Sequence, residues 1–123
     1  MIAQSIAVYI YAPGEGGRVE SDPISTDVTF AGTIEGVMSL EKAVLSLPEG
    51  VVLRYGFFYG PGTWSPETPR KPAVHIDAAA QATVLALTRG ARGIYNVAED
   101  DAALSSEKAK RELGFDAAFR IKT

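Results

Sequence analysis

Apolar positions along the chain change their spacing repeatedly, and each change marks an element. Residues 2–11, IAQSIAVYIY, are β-branched and aromatic with partial alternation, and they predict a strand that stops at Ala12-Pro13-Gly14. Residues 12–32 are rich in Gly, Pro, Ser, Asp and Glu and keep no period. A loop of about twenty residues in a compact domain is more often a functional or mobile segment than filler. From Thr33 the period becomes helical: Val37, Leu40, Val44 and Leu47 form a stripe widened by Ile34, Ala43 and Leu45, and Pro48 and Gly50 stop it. Val51 to Tyr55 has the continuous apolar character of a strand covered on both faces, as in a parallel sheet, with Arg54 its one charge. Residues 56–70 then read as a loop rich in proline and glycine.

The pattern resumes with a short strand, Ala73 to Ile76. Asp77 follows where a helix N-cap belongs, before an alanine-rich helix closed by Gly90. Ile94 to Val97 predicts another short strand. Ser105 or Ser106 caps a last helix, with Glu107 in its first turn and Lys110 and Arg111 in its last, where each sign suits the helix dipole. Leu113-Gly114 ends that helix, and Phe119 to Ile121 predicts an edge strand. Strands alternating with helices argue for an α/β fold with parallel strands joined by right-handed crossovers, in one domain spanning 1–123. In such sheets ligands sit beyond the carboxyl ends of the strands. The stretch VVLRYGFFYGPG, 51–62, puts its aromatic cluster at that end.

Composition narrows the chemistry. The net charge is −3, with Lys and Arg mostly scattered singly, so no basic stripe suits nucleic acid. There is no cysteine and a single histidine, His75, so thiolate and multi-histidine metal sites are not available within one chain. No run reaches the roughly 18 apolar residues of a bilayer span, and the apolar start MIAQSIAVYIYA lacks the basic residues of a secretory leader. We therefore expect a cytoplasmic protein without a nucleic-acid or membrane partner.

Five stretches in order, AQSIAVY (3–9), VVLRYGFFYGPG (51–62), PAVHIDAAAQA (72–82), GIYNVAED (93–100) and SSEKAKRELGF (105–115), resemble the C-terminal half of the extended short-chain dehydrogenase/reductases, the NAD-dependent epimerase/dehydratase group with its atypical members. The resemblance implies a partial Rossmann-like, mainly parallel sheet, the second half of a doubly wound fold, with about three helices. It implies that Ser5 hydrogen-bonds a substrate hydroxyl or carbonyl, and that Tyr55 and Gly56 pass the nicotinamide ring, where a glycine lets a planar ring approach the backbone. Phe57 falls where many sugar-nucleotide epimerases grip their substrate with asparagine, a bond that phenylalanine cannot make. Tyr59, Arg54 and His75 complete the substrate-side set. For Arg54 a structural ion pair is the favoured use, and for His75 a satisfied polar role rather than that of a base.

Two departures limit what the resemblance implies. The family's proton relay is a Tyr-x-x-x-Lys pair, in which lysine lowers the tyrosine pKa. Counting back from Glu41, which matches a glutamate on the family's catalytic helix, puts Thr33 at the tyrosine position and Val37 at the lysine position, and no other Tyr-x-x-x-Lys occurs. The glycine-rich turn that holds a dinucleotide pyrophosphate is also missing: Gly14, Gly16 and Gly17 lack the G-x-G-x-x-G spacing and precede no helix. NAD or NADP is thus implied by the family but not expected to bind this chain alone, and no autonomous oxidoreductase activity is expected. Two other functions compete. One is a small-molecule module reusing the aromatic pocket around Tyr55 to Tyr59. The other is an interaction module, a homodimer formed through the exposed sheet edge of 2–11 or a complex with a separately encoded Rossmann half.

Overall fold

The computed structural model describes residues 1–67 and 69–122. Three parallel strands form the main sheet: β1 (Ile2–Ile6), β2 (Val51–Tyr55) and a third strand at Gly93–Val97, in that spatial order. Between β1 and β2 the chain crosses through helix α1 (Ala31–Leu45), entered from a 3₁₀ turn at Val28–Phe30 whose N-cap, Asp27, accepts from the Thr29 amide at 2.9 Å. After β2 comes a small parallel pair, β3 (Phe57–Tyr59) with β4 (Ala73–His75), and then helix α2 (Ile76–Arg89). The strand at Gly93–Val97 is β5, and helix α3 (Glu107–Leu113) follows it. This is the parallel α/β fold that the alternation predicts, and the partial Rossmann-like arrangement with about three helices that the resemblance implies.

The central strand explains its own sequence. Every residue of β2 is buried, because helices cover both faces of the sheet. Leu53, Tyr55, Tyr95 and Val97 pack with Ala78, Ala82 and Ala86 of α2 and with Ala109 and Leu113 of α3. Arg54 points the other way, into α1, where Glu41 meets it. The small alanine face of α2 lets that helix lie close over the large side chains of the sheet.

Several boundaries differ from the sequence reading, each for a local reason. The first strand stops at Ile6 instead of Tyr11, since Tyr9 takes a left-handed φ of 64° that a strand cannot hold. Residues 57–59, read as loop, form β3, because the Phe57 amide reaches the Pro72 carbonyl at 2.8 Å and the chain runs on beside β4. The cap of α2 is His75, not Asp77: its Nδ1 accepts from the Asp77 amide at 3.1 Å, while a carboxylate oxygen of Asp77 accepts from the Ile121 amide at 3.0 Å. Phe119 to Ile121 is not a strand; the Phe119 amide closes a turn onto the Asp116 carbonyl. The long segment before α1 is fastened by isolated bridges, Tyr11 to Ile24 and Arg18 to Leu104.

Candidate functional site

The carboxyl ends of β1 and β2 open into a cleft of about 580 Å³. Ser5, Tyr55, Gly56 and Phe57, four of the residues singled out from sequence, line it, and the loop after β3 adds Trp64 and Arg70. Crossover connections place these strand ends together, and the small β3–β4 pair holds the aromatic stretch over them.

Each side chain has a definite setting. Ser5 is buried, and its hydroxyl donates to a Glu41 carboxylate oxygen at 2.6 Å. The Tyr55 hydroxyl is bonded to Thr83 of α2, and burial holds its pKa above the ordinary tyrosine value. A tyrosine serving as a proton relay is tuned downward by a neighbouring cation, so this one is poised in the opposite direction. At Gly56 a Cβ would meet the Pro72 carbonyl oxygen at 2.7 Å, so packing against the chain's own backbone already demands glycine there, before any ring approaches. Phe57 presents its ring to Tyr9, edge-on with centroids 5.9 Å apart, and lies 4.2 Å under the Arg70 guanidinium.

The remaining candidates sit elsewhere. Arg54 is buried in a fork with Glu41, at 2.6 and 2.9 Å, and also donates to the Tyr11 hydroxyl at 2.9 Å. Burial opposes its charge, but the bonds to Glu41 and Tyr11 outweigh it and raise its pKa. Tyr11 in turn donates to the fully buried Asn96 at 2.5 Å, so Ser5, Glu41, Arg54, Tyr11 and Asn96 make one continuous polar network on the α1 side of the sheet. Tyr59 donates to Glu99, which together with burial raises its pKa, and receives from Arg120 at 3.2 Å. His75 and Tyr59 meet with their rings perpendicular, centroids 5.1 Å apart. Thr33 is exposed and Val37 half-buried on α1. Among the described residues no group of three or more His, Cys, Asp or Glu could hold a metal, and no helix is long and apolar enough to cross a membrane.

Sequence reasoning missed Tyr9, Phe30 and Arg70. Tyr9 stacks on Phe30 at 4.5 Å and takes a hydrogen bond from Arg70 at 2.8 Å. These residues stand 21 to 61 positions apart, and only the fold joins them. The one signal available in sequence was the isolated Arg-Lys pair beside an aromatic loop.

Such a site on such a sheet belongs to a class: a parallel α/β sheet with its ligand crevice at the strand ends. Two solved structures share this fold. They are the dTDP-glucose 4,6-dehydratase of Bacillus anthracis str. Ames in complex with NAD (TM-score 0.68, 15% identity, 96% of this chain and 56% of that one) and the UDP-glucuronic acid 4-epimerase of Bacillus cereus in complex with NAD (TM-score 0.63, 16% identity, 97% of this chain and 56% of that one). In sequence, the chain is 31% identical over 130 aligned positions to a 3-diazoavenalumate denitrifying reductase of a Streptomyces species, covering 87% of this chain and 43% of that protein. No family model matches. The chain has the fold of the NAD-dependent epimerase/dehydratase group of extended short-chain dehydrogenase/reductases. It spans about half the length of the proteins it resembles.

Proposed function

We propose that these 123 residues are the substrate-side half of a reductase- or epimerase-type fold, that their cleft holds a small molecule, and that alone they neither bind NAD or NADP firmly nor run hydride chemistry. The observation that carries this is the pairing of a formed cleft with Thr33 and Val37 at the relay positions. Neither a hydroxyl of ordinary acidity nor an isopropyl group can reproduce a lysine-tuned tyrosine. The 123 residues also contain no G-x-G-x-x-G turn to take a pyrophosphate. A cytoplasmic setting belongs to the same proposal. The purified chain should show no saturable binding of NAD or NADP by calorimetry and no oxidation of reduced nicotinamide in its absorbance; millimolar nucleotide bound saturably, or turnover, would overturn the reading.

A second reading rests on the outer edge of β1. The Val51 amide bonds the Met1 carbonyl and the Ala7 amide bonds the Tyr55 carbonyl, so by alternation the peptide groups of Ile2, Gln4 and Ile6 face away from β2. Among the described residues they meet no partner. An open edge of a parallel sheet is a template for another strand, and a homodimer through it fits that need. Light scattering should give a dimer at high micromolar concentration, and a monomer there would end this reading.

A further inference from the structure

We infer that the cleft takes a planar, largely apolar molecule carrying a single carboxylate, with Arg70 receiving the anion at the rim. This rests on the reading of the cleft as a small-molecule site and adds the class of its ligand. The walls are flat: Tyr55, Phe57, Phe58 and Trp64 are four of the lining residues. Trp64 is fully exposed, the one tryptophan of the chain held out in water at the rim.

The charge is as selective as the shape. Among the described residues Arg70 is the one charged side chain that lines the cleft, and it forms no ion pair with any of them. Its guanidinium lies flat over Phe57 and gives one hydrogen bond to the Tyr9 hydroxyl, which fixes the fork and leaves further N–H donors unengaged. Guanidinium geometry matches a carboxylate bidentately. A lone cation without a second positive neighbour in the cleft suits one negative charge rather than a dianionic phosphate. Tyr9 adds an independent sign of purpose. Its left-handed φ of 64° is a strained setting for a bulky residue, and it goes with the ring stacked on Phe30 and the hydroxyl bonded to Arg70.

The experiment uses trans-cinnamate as probe and cinnamamide as its neutral counterpart, with calorimetry for affinity and the Trp64 indole N–H resonance for location. Cinnamate should bind saturably and shift that resonance, cinnamamide should bind at least tenfold more weakly, and Arg70→Gln should erase the difference while Arg70→Lys restores part of it. Phenyl phosphate should bind no better than cinnamate. Equal binding of acid and amide, or an unchanged preference in R70Q, would overturn the carboxylate assignment while leaving the cleft a small-molecule site. Binding of neither would overturn the inference outright. The nicotinamide assays above are read independently, so their outcome and this one cannot be confused.

Discussion

The two edges of the main sheet are built to opposite rules. On β5 side chains reach part of the outward row: Lys108 Nζ donates to the Ile94 carbonyl at 2.6 Å, and Glu20 accepts from the Asn96 amide at 2.8 Å. Ser106 both donates to the Ala98 carbonyl and accepts from its amide, each at 3.0 Å. On β1 the corresponding groups of Ile2, Gln4 and Ile6 have no such partners among the described residues. Sheets end where side chains are positioned to satisfy the last row of backbone groups, and they invite continuation where none are. The contrast is what favours β1 as the joint in the proposed dimer.

The largest effect tests the line between the edges, where neither rule applies. Glu41→Gln leaves Arg54 buried without its counter-charge, and breaking such a pair costs about 3–5 kcal/mol. Denaturant unfolding should register that loss, and a change below about 1 kcal/mol would mean that the network is not structural. Next comes the finished edge. Ser106→Ala strands the amide and the carbonyl of the fully buried Ala98, at about 1–3 kcal/mol for each unsatisfied group. The open edge gives a paired test: Ala3→Pro deletes a donor facing β2 and should cost about 1–3 kcal/mol. Gln4→Pro deletes an outward donor, should leave monomer stability almost unchanged, and should abolish any association through β1. Equal costs for the two prolines would erase the distinction between inner and outer rows.

The smallest expected effect is with pH. Burial holds Tyr55 and Tyr95 above the ordinary tyrosine value. A raised pKa means that the folded state keeps protons which the unfolded chain releases, so this contribution is complete below about pH 10 and fades above it. Melting temperature should therefore fall as pH rises past 10, and Tyr55→Phe should flatten that fall. A wild-type melting temperature independent of pH in that range would contradict it.

How much of this could be read from residues alone depended on range. The bounds of β2 were legible to the residue, since VVLRY is apolar on both faces, and Pro48 and Gly50 marked where α1 had to stop. Arg54, a lone charge in that strand, announced an ion pair, and Glu41 supplies it. Short-range pattern could not show β3, whose three residues become a strand only because Ala73 to His75 runs beside them. Nor could it show the cap of α2, because histidine is an uncommon choice and Asp77 two residues on satisfies the same rule. At the site, strand-end position marked Tyr55, Gly56 and Phe57, while Tyr9, Phe30 and Arg70 meet only after the long segment folds back.

The β3–β4 pair closes residues 60–72 into an excursion fastened at its base by the Phe57–Pro72 hydrogen bond and the Tyr59–His75 register. Lengthening such a closed loop adds little entropic cost. The excursion holds Trp64 and Arg70 at the rim of the cleft. In the proposed reading, ligand preference would rest on this loop's side chains, while the sheet beneath supplies only the platform that bears them.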